Sequence, residues 1–407
     1  MASATEGQSH VNSVSRKAHT HSSAEAQRRL AYFNERRDEI VSTIRELVEI
    51  ESPSDNKAAV DRVAEAVAHK FSELGGEVHF HQVNDYGSHL QVDFAGKSAK
   101  PVLLLGHYDT VYPLGTLATM PCCAVDNKLT GPGVLDMKSG IALMLHALAA
   151  LQDWNKKDWH GGLPRPVTVL LVSDEEVGSD SSRAITESLA KKVAAVLVLE
   201  PAYGFQGAVK TARKGVGEYL VKVTGKASHA GLDFQKGANA ILELARQIEK
   251  ISSFTDLKKG LTVNVGIVNG GSRTNVVPAE AAAQVDVRIA RIKEAAGIDK
   301  KMRSLRPFNR KCKIEITGGI NRPPMERTAG VAALYAQASA IARELGWKLG
   351  EAAVGGGSDG NFTAGLGIPT LDGLGAVGDG AHAPHEHILI SELPRRAALI
   401  AGLIKAA

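Results

Sequence analysis

Cysteine is scarce: Cys122, Cys123 and Cys312 are the three in 407 residues. Adjacent cysteines rarely bridge each other and no metal-type spacing is present, which excludes a disulfide framework and a cysteine-held metal. The three read as reduced thiols of a cytoplasmic protein. Apolar runs stay at strand length, which excludes a transmembrane helix and a membrane partner. Residues 1–23 are rich in Ser, His, Ala and Thr with no apolar core, so they read as a disordered tail and not as a signal peptide. Net charge is only +4, and three of those four excess positive charges lie in the first 37 residues. No basic face remains for nucleic acid. Internal repeats are also lacking.

The composition, 44% hydrophobic and 23% charged, is that of a soluble globular protein. Its length exceeds one ordinary core and implies two domains. The most informative stretch runs from Val167 to Gly178, Val-Thr-Val-Leu-Leu-Val-Ser-Asp-Glu-Glu-Val-Gly. Six β-branched and aliphatic residues form a run too short for a typical helix, as in a strand buried on both faces. It ends in Asp174, Glu175 and Glu176, and carboxyl ends of strands are where open α/β sheets bind ligands. Successive side chains of extended backbone point opposite ways, so the two glutamates can do different work. The plainer reading is that the acids begin the helix near Asp180, where the helix dipole favours negative charge.

Other segments repeat the theme. Helices are expected over 24–50 and 58–74, and strands over 77–83, 90–94 and 101–106, the last leading into His107-Tyr108-Asp109. A loop with Gly131-Pro132-Gly133 brings Asp136 before a helix over 141–151. The run 194–199 ends in Glu200-Pro201, and proline cannot continue a ladder. From about Lys214 the order becomes strand, helix, strand, strand, helix, strand, the βαββαβ ferredoxin-like unit. The expected division is a tail over 1–23, a first domain over 24–213 and 323–407, and an inserted domain over 214–322.

His107, Asp136, Glu176, Glu200 and one histidine of His382, His385 and His387 form a donor set suited to zinc. Each has a dull explanation alone, as a polar strand end, a turn former or a solvated acid. Together they would crowd like charges at one sheet edge without cations to neutralise them. A competing pattern is Gly356-Gly357-Ser358-Asp359-Gly360, which matches the nucleophile elbow of serine hydrolases and is trailed by Asp372 and His382. It leaves the acids at the other strand ends unexplained, and a Gly-rich loop also lets a substrate approach backbone closely. A protein that merely stores metal would not need Glu175 beside Glu176.

The motifs Gly106-His107-Tyr108-Asp109-Thr110-Val111-Tyr112, Gly131-Pro132-Gly133 with Asp136-Met137-Lys138 and Gly140, Asp174-Glu175-Glu176 with Gly178-Ser179, Glu200-Pro201, and Gly225-Lys226-Ala227-Ser228-His229-Ala230-Gly231 resemble the co-catalytic zinc family of aminoacylases and carboxypeptidases, most closely its glutamate carboxypeptidase (carboxypeptidase G) members. The resemblance implies an α/β zinc-peptidase-type catalytic domain, a mixed sheet flanked by helices, with the α+β ferredoxin-like insert as a lid and dimerisation domain. It implies two zinc ions per subunit, with cobalt or manganese as alternatives. His107, Asp136 and Glu200 would hold one; Asp136, Glu176 and His382 the other, His382 being followed four residues later by Glu386. Glu175 would be the general base and Asp109 the acid that orients His107. Asn275, Arg288, Gly357 and Ser358 would meet the substrate, and His229 would reach the active site of the partner subunit in a homodimer. The implied reaction is amide hydrolysis releasing a C-terminal amino acid, glutamate first, from an N-acyl amino acid or short peptide. Acetylornithine and succinyl-diaminopimelate are other N-acyl substrates of such enzymes. The family's secreted members begin with a signal peptide, which is not seen here.

Overall fold

A computed structural model of the chain describes residues 24–97, 100–158 and 163–406. The expected disordered tail lies outside the described residues. The chain forms two compact units, one of Met1–Thr211, Arg327–Ala352 and Leu366–Ala407, the other of Ala212–Glu326 and Ala353–Gly365. The second unit extends a few residues beyond the expected 214–322 at both ends and also takes in residues 353–365, which the sequence assigns to the first domain. Buried polar bonds explain this, because the Asn361 amide donates to the carbonyls of Lys214 (3.1 Å) and Pro323 (2.8 Å).

The first unit is built on a six-stranded sheet. From edge to edge its strands are Glu77–His81, His89–Phe94, Val167–Val172, Val102–His107, Ala195–Val198 and Thr370–Leu371. The first three pair antiparallel, and the last four are parallel. Every residue of Val102–His107, Val167–Val172 and Ala195–Val198 is buried, which is why these strands read as unbroken apolar runs and not as alternation. Alternate residues go to opposite faces. Val102, Leu104, Val169, Leu171 and Leu197 join a core containing Ser139–Asp158, Leu393–Ala406 and Arg37–Val48, while Leu103, Leu105, Leu170, Val172 and Val198 pack with residues of Arg183–Ala190. Truncating one such leucine to alanine costs about 2–5 kcal/mol.

The helix expected over 24–50 is interrupted by a turn at Arg36 and resumes as Arg37–Val48. The helix expected over 141–151 runs further, as Ser139–Asp158. With the turn before it, Val134–Trp154 reaches membrane-spanning length and apolar composition where the sequence shows strand-length runs, but 83% of its 18-residue apolar window is buried in the protein itself. Its apolar character follows from its place between the sheet and other helices.

The second unit is the ferredoxin-like fold. Strands Gly215–Thr224, Thr262–Gly270, Glu280–Ile289 and Lys313–Arg322 stand in the order second, third, first, fourth, all antiparallel. Helices Ala240–Ser252 and Ala295–Arg303 supply the crossovers. Tyr219, Val221 and Val223 alternate with less buried neighbours and face the core with Leu244, Ile251, Ile298 and Met302, the period of two expected for a sheet covered on one side.

Candidate metal centre

The strands ending at His107, Val172 and Val198 run the same way, so they deliver His107, the 174–176 segment and Glu200 to one edge. Two further pieces come from a small sheet that the sequence reading did not find. Its strands, Gly378–Asp379, His387–Leu389, Lys128–Thr130 and Ala124–Val125, are two or three residues long, too short to show any period. In its register His387 opposes Thr130 and Ile388 opposes Leu129. This ties the loop that carries Asp136 to the loop that carries His382.

Asp136 lies at the centre. Its Oδ1 is 3.1 Å from His107 Nε2 and its Oδ2 is 3.5 Å from His382 Nε2. Glu200 Oε1 stands 3.5 Å from His107 Nε2, and Glu176 Oε1 stands 3.1 Å from His382 Nε2. Donor atoms of His107, Glu175 and Glu200 lie within 4.8 Å of one another, and so do those of His107, Asp136 and Glu176. Of the three candidate histidines, His382 faces the acids Asp136 and Glu176. His385 is exposed, and His387 is buried in its strand with Nδ1 against the His385 carbonyl.

Asp109 is wholly buried and faces the other edge of the His107 ring: Nδ1 is 3.0 Å from its carbonyl oxygen and 3.4 Å from its carboxylate. Both are acceptors, so Nδ1 carries the hydrogen and Nε2 is the atom turned toward the acids. The same carboxylate accepts the N–H groups of Glu175 (3.3 Å) and Glu176 (3.2 Å) and the Ser54 hydroxyl (2.7 Å). It therefore aligns the imidazole and the turn of the two glutamates together. That turn, Glu175–Val177, is a 3₁₀ turn and not the extended backbone expected. The plainer reading of the acids does hold for Asp174, whose Oδ2 accepts the N–H groups of Ser181 and Ser182 just before helix Arg183–Ala190.

Electrostatics mark the place as one that attracts cations. Burial opposes protonation of His107, but its bonds to Asp109, Asp136 and Glu200 outweigh that and hold its pKa well above the usual histidine range. Contact with Asp136 and then Glu176 pushes His382 up to about 10. Burial works to raise the Asp136 pKa, yet the two imidazoles bring it far below the usual carboxylate range. Glu176 is raised, chiefly by burial. The residues also fit a metal pair by geometry. An imidazole nitrogen facing carboxylate oxygens at hydrogen-bond range requires a cation between them, a proton or a metal ion. Two donors about 2.0–2.2 Å from one tetrahedral cation stand roughly 3.3–3.6 Å apart; His107–Glu200 and His382–Asp136, both at 3.5 Å, fall in that range, while His107–Asp136 and His382–Glu176, both at 3.1 Å, are slightly closer.

Glu386 is the important residue that sequence reasoning used only as a spacing mark. Fully buried, its carboxylate accepts from the N–H groups of Gly133 (3.1 Å), Leu135 (2.7 Å) and Asp136 (2.9 Å), and from the Tyr112 hydroxyl (2.6 Å). Burial raises its pKa. A lone Glu after a His-rich tract carries no pattern that announces such a clamp.

The remaining candidates belong to the second unit. His229 is exposed, with Nδ1 accepting the N–H groups of Gly231 and Leu232, each at 3.1 Å. In the neutral ring Nε2 is then a donor. His229 bridges Val276, and Ala230 donates to the Asn275 carbonyl at 2.9 Å, so His229 and Asn275 are neighbours. Arg288 is engaged by Asp286, with Nε 3.0 Å from both carboxylate oxygens and Nη2 2.9 Å from Oδ1. Gly356 and Gly357 hold their carbonyls toward Arg213 Nη1 at 3.3 and 3.0 Å, a partner the sequence reading missed. Ser358 does not have the form of a nucleophile. It is buried, its Oγ accepts the Gly360 N–H (3.1 Å), and it is not among the described non-glycine residues with positive φ, which are Asp126, Ser179 and His382. The elbow needs a strained, exposed serine. His382, its supposed partner, faces Asp136 and Glu176.

The fold and this donor set define a metallopeptidase. The chain belongs to peptidase family M20/M25/M40, whose profile matches residues 103–406. It is 32% identical over 376 residues to carboxypeptidase G2 of Pseudomonas sp. (strain RS-16), covering 90% of this chain and 88% of that one. Among solved structures, aminopeptidase PepT from Bacillus cereus has a TM-score of 0.73 at 22% identity, covering 91% and 98% of the two chains. The Bacillus subtilis YXEP protein, described as a dinuclear metal-binding peptidase of the M20 family, has a TM-score of 0.66 at 15% identity, covering 91% and 97%.

Proposed function

We propose that this metallopeptidase is a di-zinc carboxypeptidase that cleaves the amide bond of an N-acyl amino acid or short peptide and releases the C-terminal residue, glutamate first. The observation that carries the reading is Asp136, whose two carboxylate oxygens face one imidazole each. His107, Asp136 and Glu200 would hold one ion, and Asp136, Glu176 and His382 the other. The chemistry supplied by bound divalent cations is activation of water near neutral pH and polarisation of the scissile carbonyl. Glu175 takes a proton from the attacking water and returns it to the leaving amine nitrogen as the C–N bond breaks, so acid and base are the same carboxyl group. Its turn supports the assignment, because Asp109 holds the Glu175 and Glu176 N–H groups side by side, with the Glu176 carboxylate facing His382 and the Glu175 carboxylate within 4.8 Å of the donor atoms of His107 and Glu200.

For the substrate carboxylate, Asp286 occupies the Nε and Nη2 edge of Arg288, and the Nη1 edge is the donor we assign to it. Asn275 and the Gly357–Ser358 backbone complete that pocket in the proposal. His229, with Nε2–H as donor, would stabilise the developing oxyanion of the partner subunit in a homodimer joined through the lid. Similarity to carboxypeptidase G2 supports the substrate class. Free Cys122, Cys123 and Cys312 support a reducing, cytoplasmic location. A panel of N-acyl amino acids and dipeptides, assayed with and without zinc, tests the reading. Turnover of N-acyl glutamates above the others, lost on chelation, is expected; turnover that persists without metal would sink it.

A further inference from the structure

Behind the turn of Glu175 and Glu176 lies a buried polar chain that the reaction itself does not use. His89 opens strand His89–Phe94, which runs antiparallel to Val167–Val172 with Leu90 opposite Leu171. Its wholly buried imidazole therefore stands beside Ser173, the first residue beyond that neighbour. The Ser173 N–H donates to His89 Nδ1 at 3.2 Å, and the Ser173 hydroxyl, 3.0 Å from the same nitrogen and 2.5 Å from the Gly87 carbonyl, shares its one hydrogen between these two acceptors. A ring nitrogen that accepts a backbone N–H carries no hydrogen, so in the neutral ring the hydrogen is on Nε2. Nε2 lies 3.0 Å from Ser181 Oγ, which donates to Asp174 Oδ2 at 2.6 Å. Donation thus runs one way, from His89 to Ser181 to Asp174.

Asp174 closes the turn from behind. Its Oδ2 also accepts the N–H groups of Ser181 (2.8 Å) and Ser182 (3.3 Å), and its carbonyl accepts those of Ser179 (2.8 Å) and Val177 (3.3 Å). Within this bracket Ser179 has φ of 60°, a conformation that a non-glycine residue keeps only when its surroundings hold it. On the front, Asp109 holds the Glu175 and Glu176 N–H groups. One side of the turn is therefore fixed by an acid that also orients His107, the other by an acid tied through Ser181 to a histidine on the neighbouring strand.

We propose that His89, Ser181 and Asp174 are positioning residues that lock the 174–182 turn in the one conformation in which Glu175 and Glu176 take up their separate roles. The proposal rests on the reading of Glu175 as general base. A displacement of about 1 Å in a catalytic group costs on the order of 10²-fold in rate, so a loosened turn lowers kcat while substrate contacts made elsewhere keep KM.

The test compares Ser181→Ala, His89→Gln, His89→Asn and Glu175→Gln in zinc-loaded, full-length protein, using the fastest substrate of the panel above. Ser181→Ala should lower kcat by about 10- to 100-fold with KM and bound zinc unchanged, and should raise amide hydrogen exchange in peptides covering 174–182 alone. His89→Gln should keep most of the wild-type rate, because its side-chain N–H₂ reaches the place of Nε2. His89→Asn reaches only the place of Nδ1 and should lose rate as Ser181→Ala does. Wild-type kcat and exchange in Ser181→Ala would overturn the proposal. A rate loss matched by zinc loss, or by faster exchange throughout the chain, would overturn it equally. If Glu175→Gln keeps turnover, the general-base reading falls, and exchange alone judges the turn: localised loosening upholds it, unchanged protection ends it.

Discussion

The Glu386 carboxylate accepts the backbone N–H of Asp136 at 2.9 Å, so the residue that faces both imidazoles is held in place from its own main chain. With Gly133, Leu135 and Tyr112 as further donors, both oxygens of Glu386 are in use. Replacing one oxygen by an amide NH₂, as in Glu386→Gln, turns a donor against donors. Loss of such a supporting contact typically weakens metal binding by about 10- to 100-fold. A zinc competition titration with a chromogenic chelator should show that weakening, and unchanged zinc affinity would remove Glu386 from the support of the site.

Glu175→Gln and Glu176→Gln should separate two roles one residue apart. The first is expected to keep two zinc ions by mass spectrometry and to lose about 10²- to 10⁴-fold in kcat. The second, adjacent to His382 at 3.1 Å, is expected to lose metal. Full turnover by Glu175→Gln would require the roles to be exchanged.

Metal affinity should depend on pH through His382. Its pKa in the metal-free protein is pushed up to about 10 by Asp136 and Glu176, so at pH 7 the ring carries a proton that a metal ion must displace. The sign follows: below about 10, affinity rises as pH rises, by about tenfold per unit for one displaced proton. Zinc added to unbuffered protein at pH 7 should release that proton, measured by pH-stat. The release should be smaller by one in His382→Gln.

Acid sensitivity of the fold should arise in part at His146, on helix Ser139–Asp158 beside the Thr43 hydroxyl at 3.0 Å. Burial, with Lys70 and Arg36 adding to it, lowers its pKa from 6.5 to about 4. The folded state thus prefers the neutral ring, and the unfolded chain binds more protons between about pH 4 and 6.5. Stability is complete above about 6.5 and is lost as pH falls toward 4, by up to about 3 kcal/mol. Urea midpoints of metal-free protein at pH 7 and pH 5 should differ less in His146→Leu than in wild type; equal differences would clear His146.

Mixing His229→Ala with Glu175→Ala chains tests the shared site. Each homodimer should be nearly dead, while one site of each heterodimer keeps both wild-type residues, so random assortment recovers up to about a quarter of the wild-type rate. Heterodimers detected by native mass spectrometry without recovered activity would take His229 out of the partner's site.

Much of this was legible in the residues themselves. Unbroken apolar runs marked the three parallel strands because a strand buried on both faces admits no polar alternation, and each run ended in the polar group that forms the site. The βαββαβ order of the insert was equally plain, since Gly215–Thr224 and Glu280–Ile289 alternate with period two. Tertiary structure alone decided what depends on long-range partners. Three-residue strands such as Lys128–Thr130 and His387–Leu389 are too short for a period, yet their pairing joins Asp136 to His382. The choice among His382, His385 and His387 turned on which ring faces the acids, and the burial of Val134–Trp154 on which elements cover it. The roles of Glu386, Asp174 and His89 arise from hydrogen bonds to backbone groups distant in sequence, and a backbone donor leaves no mark on residue type.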